Sequence, residues 1–309
     1  MIDDIIKLIT DTILNELKGS MGIAMQIAAL AFICAAIKGI ETGTGREIAR
    51  AAFFVQYAMT AALLCSVIVS MRDTAINSIE NMVNSMNGVS PVLLTAAATL
   101  GNFTAVSGMG GMFVIATGLV ANLIKNIFLP GAIILAVLNI VENLSDTIKL
   151  GNLTSLVKNV LLWGMGIVMT LYIGILSVQS LIAGTSDGAI NKTVKFAAGS
   201  LIPFVGQYLS DSLDAVSASA LAINGAAGTG AMIAIITISV GPAVKILITA
   251  GILKLSSAVI QPVADERISS AVGGTAAAFS LIAGITAVCA VIFTITIGAL
   301  LNTMSAVIK

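Results

Sequence analysis

Few residues of this chain could carry covalent or acid–base chemistry, and their spacing does not support it. There is no histidine, which removes Ser-His-Asp, Cys-His and histidine–metal schemes. Ser155 and Lys158 fit a Ser-x-x-Lys pattern, the spacing of a serine nucleophile with a lysine base. The pattern is short and falls on an amphipathic stretch, where two solvated side chains are the plainer reading. Asp187, in Gly184-Thr-Ser-Asp187, resembles one half of an intramembrane aspartyl pair, but no second membrane aspartate matches it and a loop aspartate is expected. Cys34, Cys65 and Cys289 lie far apart inside apolar runs. They read as small buried hydrophobes without metal-ligand spacing or a disulfide framework. No glycine loop ends in Gly-Lys-Ser/Thr, so Gly108, Gly110 and Gly111 are expected to pack or unwind a helix rather than cradle phosphate. The expectation is a protein that is not an enzyme and takes no cofactor or metal.

The elements that hold these residues are apolar. Hydrophobic residues make up 58% of the chain and charged residues 10%, against roughly 25% charged in soluble domains. Such a chain cannot build a charged shell, and its apolar surplus must face lipid or other helices. The runs are long and continuous, unlike the short alternating segments of a membrane β-barrel. Fifteen basic and fifteen acidic residues cancel, leaving no basic stripe for nucleic acid. The fold class read from this is an all-α, polytopic membrane helix bundle. Seven or eight crossings are expected, with short amphipathic and half-membrane helices between them.

Along the chain, residues 1–18 read as an amphipathic helix, with Ile2, Ile5, Ile6, Ile9, Ile13 and Leu17 on one face. The start at Met1-Ile2-Asp3-Asp4 lacks the positive charge of a signal peptide. Residues 19–87 read as two spans, 20–37 and 51–70, and an amphipathic helix, 71–87, with Met71, Ala75, Ile79, Met82, Val83 and Met86 opposite Arg72, Asp73, Asn77, Glu80 and Asn84. Pro91 is expected to open a short segment, 91–100. Lys125 and Asn126 read as a polar tip between two apolar stretches. Residues 142–158 and 254–269 read as interfacial, and 159–183, 226–253 and 271–303 as spans. Basic residues divide almost evenly between the two sides, so the positive-inside rule leaves orientation open.

Pro91 and Pro203 are 112 residues apart (203 − 91), as are Pro130 and Pro242 (242 − 130). The hydropathy blocks follow that offset, suggesting a first membrane repeat, 88–183, and a second, 200–309, with 88–183 and 200–295 as inverted copies. Proline breaks are tolerable at depth only against protein or water, so these positions are candidate helix breaks or cavity-lining sites; interfacial loops are the bland alternative. Lys245 lies inside an apolar run, where it either snorkels from a helix end or lines a cavity. Gln207 is grouped with the cavity candidates, although Gln56, Gln179 and Gln207 read first as interhelical hydrogen-bonding residues. A self-contained secondary transporter of a small solute is the alternative function built on this repeat.

The stretch Ser177-Val-Gln-Ser-Leu-Ile-Ala-Gly-Thr-Ser-Asp187 runs into Lys192-Thr-Val-Lys195 and Ile202-Pro-Phe-Val-Gly-Gln-Tyr-Leu-Ser-Asp-Ser212. Asn224-Gly-Ala-Ala-Gly-Thr-Gly230, Gly241-Pro-Ala-Val-Lys245 and Gln261-Pro-Val-Ala-Asp265 follow. In order and spacing this resembles the stage III sporulation protein AE family, most strongly over 177–265. The resemblance implies a membrane subunit of the channel, or feeding-tube, complex between mother cell and forespore. Its implied place is the mother-cell membrane surrounding the forespore. The implied partners are the lipid bilayer, the other proteins of the same sporulation complex and, as an open alternative, further copies of itself. Family members often carry an N-terminal signal and leader, a pattern from which Met1–Asp4 departs. The resemblance implies no catalytic residue.

Overall fold

The computed structural model describes residues 18, 21–33, 46–99, 115–144, 150–182 and 226–305. Among the described residues every element is a helix. We label them α1 (Met21–Ile33), α2 (Arg46–Thr99), α3 (Ile115–Glu142, with a π turn at Ile124–Phe128), α4 (Gly151–Ile182), α5 (Ala226–Ile260) and α6 (Glu266–Ser305). Five of these, α2 to α6, are long and apolar enough to cross a membrane. The helices form because Ala, Leu and Ile dominate the runs, and because a backbone in lipid must satisfy its own hydrogen bonds. α2, at 54 residues, is about 80 Å long at 1.5 Å per residue, far more than a hydrocarbon core of roughly 30 Å.

Helix ends follow local chemistry. Asp265 is the N-cap of α6, its Oδ1 accepting the Arg267 backbone N–H at 3.1 Å. It satisfies one of the orphan donors of the first turn. Between α5 and α6, Val263 and Ala264 donate back to the Ile260 carbonyl at 3.0 and 2.7 Å. The tight turn 261–265 lies within the segment 254–269 that reads as interfacial from sequence. At the start of α4, the Thr154 hydroxyl donates to Glu142 Oε2 at 3.2 Å; α3 ends in a turn at 143–144 and α4 begins at Gly151, both within the 142–158 segment that reads as interfacial.

Two expected breaks are not breaks. Pro91 lies inside α2 rather than opening a new segment. Its missing N–H removes one backbone bond, while the Thr95 hydroxyl donates to the Pro91 carbonyl at 2.7 Å as the helix continues. Lys125 and Asn126 form no tip: α3 passes through them in its π turn. Lys125 forms an ion pair with Glu80 of α2, and Asn126 donates to Asn122. These polar groups find partners without ending the helix, so two expected crossings become one. Pro130 follows the π turn, at the start of the second α-helical part of α3, and Pro242 lies inside α5.

The chain divides into two compact units. The first holds Met1–Ile76, Leu129–Leu161 and Gly241–Ala283; the second holds Asn77–Phe128, Leu162–Val240 and Gly284–Lys309. In the first, Phe53, Tyr57 and Leu64 of α2 are buried, as are Ala132 and Ala136 of α3 and Phe279 and Ile282 of α6. In the second, Ile79, Met82, Tyr172, Phe293 and Ile297 are buried. The expected faces of 71–87 are seen: Met71, Ala75, Ile79, Met82 and Met86 are buried, whereas Arg72, Asp73, Asn77, Glu80 and Asn84 are exposed. Leu129 and Gly241, where α3 and α5 enter the first unit, are themselves 112 apart (241 − 129). Both helices start in the second unit and end in the first. Residues 200–225, which open the expected second copy, lie outside the described residues.

Candidate functional site

The polar interior of the first unit is built on the buried face of α2. Phe53, Gln56, Tyr57 and Thr60 recur at helical spacing and are all at most 4% exposed. Tyr57 donates its hydroxyl to the Ile140 carbonyl of α3. The Arg267 guanidinium lies 3.8 Å over the Phe53 ring, while its Nε donates to Asp265 Oδ1 at 3.1 Å. The cation is thus held between an aromatic face and a carboxylate. Gln56 Nε2 and Thr60 Oγ1 are buried and find no hydrogen-bond partner among the described residues. Gln56 was expected as interhelical glue, but its amide nitrogen joins no neighbouring helix.

Glycines bring helices of this unit together. A Cβ on Gly274 of α6 would lie 2.5 Å from Asn139 Oδ1, and one on Gly131 of α3 would lie 2.7 Å from Leu161 Cδ2. Close approach at small residues is the usual packing solution in a bilayer. In the second unit, Tyr172 of α4 and Thr296 of α6 share a buried hydroxyl–hydroxyl bond.

The structure places the residues singled out from sequence as follows. Lys245 is half-buried within α5, away from either helix end. Ser155 and Lys158 are both exposed on the first turns of α4, without the burial that would activate a nucleophile. Cys289 is buried, whereas Cys65 is exposed on α2, a correction to its reading as a core residue. It falls on an exposed face of α2. Gly108, Gly110, Gly111, Pro203, Gln207, Cys34, Gln179, Asp187 and the 1–18 helix lie outside the residues or side chains described. The pairing of Arg267 with Phe53 and Asp265, Glu80 with Lys125, and Tyr172 with Thr296 was not foreseen. Each joins residues whose meeting depends on the local turn or on packing between distant helices.

The outer surface is apolar. Leu153, Leu156, Val160, Trp163, Ile167 and Leu171 form an exposed stripe on α4, with Trp163 75% exposed. An apolar stripe of this length fits contact with lipid, as do the five long apolar helices among the described residues.

The profile of the stage III sporulation protein AE family matches residues 1–303. Stage III sporulation protein AE of Bacillus subtilis (strain 168) is 29% identical over 188 residues, which are 61% of this chain and 47% of that relative. The chain therefore spans about half the length of the curated relative it matches. No solved structure matches the chain. With the profile covering nearly its whole length, and with the ordered motifs over 177–265 in place, the chain belongs to the stage III sporulation protein AE family.

Proposed function

We propose that this chain is a non-catalytic membrane subunit of the channel complex between mother cell and forespore, seated in the mother-cell membrane surrounding the forespore. Family membership carries the reading, since it supports a role in sporulation. The five long apolar helices support a bilayer location. The exposed polar face of α2, with Arg72, Asp73, Asn77 and Glu80, offers a wet surface to other proteins of the same complex or to a second copy.

Deleting the gene in an endospore-forming host tests the function. The expected result is engulfed forespores that lose late gene expression and fail to mature. Heat-resistant spores at wild-type frequency would overturn the proposal. Reporter fusions in the loops between helices would test the number of crossings.

A further inference from the structure

Buried hydroxyls in these helices have a default partner. Thr249, Ser256, Thr275 and Thr296 are each buried, and each donates to the carbonyl four residues back at 2.7–3.0 Å. This back-bonding satisfies a hydroxyl within its own helix. Three buried hydroxyls of α2 make no such bond, Thr60 at 2% exposed and Ser78 and Ser90 at 1%, and of these only Thr60 has a second unpartnered polar group one turn away. One turn earlier on the same face, Gln56 is also 2% exposed, with an unpaired Nε2. The Gln56 amide makes no bond of this kind, although the Asn139 and Asn143 amides do, to the Leu135 and Asn139 carbonyls at 2.8 and 2.7 Å. Two unpartnered polar groups on successive turns of one buried face are a costly coincidence in an apolar interior.

We propose that Gln56 and Thr60 form an internal water site in the first unit. Side chains four apart on a helix have Cβ atoms about 5–6 Å from each other, a span that one water bridges. The Gln56 amide donates to the water oxygen, and the water donates to Thr60 Oγ1. Tyr57 does not compete for it, because its hydroxyl is committed to the Ile140 carbonyl. A buried water needs at least two polar partners, and this pair supplies them. The site is a property of α2 and its surroundings, independent of the complex the protein joins.

The sign of a mutational effect tests the idea. In a dry site, Thr60→Val deletes an unsatisfied hydroxyl and raises stability. In a hydrated site, the same change leaves the water and the Gln56 amide short of a partner. The full chain, purified in mixed micelles and unfolded with sodium dodecyl sulfate, should then show a folded-to-unfolded ratio about three- to tenfold lower. Gln56→Leu should act likewise, and the double variant should be much less damaged than the product of the two effects. A Thr60→Val protein as stable as wild type, or more so, overturns the proposal. Water-edited solid-state NMR of the unaltered chain in liposomes provides a second reading. Magnetisation from water should reach the Thr60 side chain faster than the back-bonded Thr275, and equal build-up would also overturn it.

Discussion

Replacing Gly274 with alanine tests the packing of α3 against α6. An alanine Cβ there would lie 2.5 Å from Asn139 Oδ1, 2.7 Å from its Cγ and 2.9 Å from its Cβ. The first two atoms can swing away if the Asn139 side chain turns. That movement gives up the bond from Asn139 Nδ2 to the Leu135 carbonyl at 2.8 Å. The Cβ moves only with the α3 backbone. Overpacking of this kind costs about 1–3 kcal/mol, a roughly five- to 150-fold drop in the folded-to-unfolded ratio. Gly131→Ala meets chiefly the flexible tip of Leu161, at 2.7 Å, and should lose less. Gly284→Ala meets nothing within 4 Å and should gain about 0.5–1 kcal/mol from helix propensity. The assay is the unfolding midpoint of each purified variant in mixed micelles. Asn139→Ala combined with Gly274→Ala should recover part of the loss, because only the Cβ contact remains. A Gly274→Ala protein as stable as Gly284→Ala would refute the close approach.

Thr296→Val should destabilise more than Tyr172→Phe in the same assay, by about 1–3 against under about 1 kcal/mol. Valine leaves the buried Tyr172 hydroxyl unpaired, while phenylalanine leaves Thr296 bonded to the Ile292 carbonyl at 2.7 Å. Glu80→Lys should lower stability and Lys125→Glu in the same chain should restore it. The effect of breaking the pair should be about 0.2–1 kcal/mol, because its side chains are 47% and 39% exposed. Asp265→Ala removes the N-cap of α6 and should cost about 1 kcal/mol. The single tryptophan, Trp163, should be quenched in liposomes by lipids brominated on the acyl chain and not by aqueous iodide. The reverse pattern would place the α4 stripe outside lipid.

Sequence alone determined the class and the material of this protein. A charge-poor chain of long apolar runs has to be a bundle of membrane helices, because hydropathy is a local sum that no tertiary contact can reverse. The two faces of 71–87 were legible for the same reason: Met71, Ala75, Ile79 and Met82 recur at the helical period. The missing histidines and the order of motifs over 177–265 were equally local. Continuity of the helices was decided only by the fold. Lys125-Asn126 looks like a turn until Glu80, 45 residues earlier, is found beside it, and Pro91 looks like a start until α2 is seen to run through it. The same holds inside the bundle. Neither Gly274 nor Asn139 announces the other, and nothing local distinguishes Thr60 from the hydroxyls that fold back on their own helices. Ion pairs, close glycine contacts and unpaired interior groups depend on which distant helix lies opposite, and that is settled by packing.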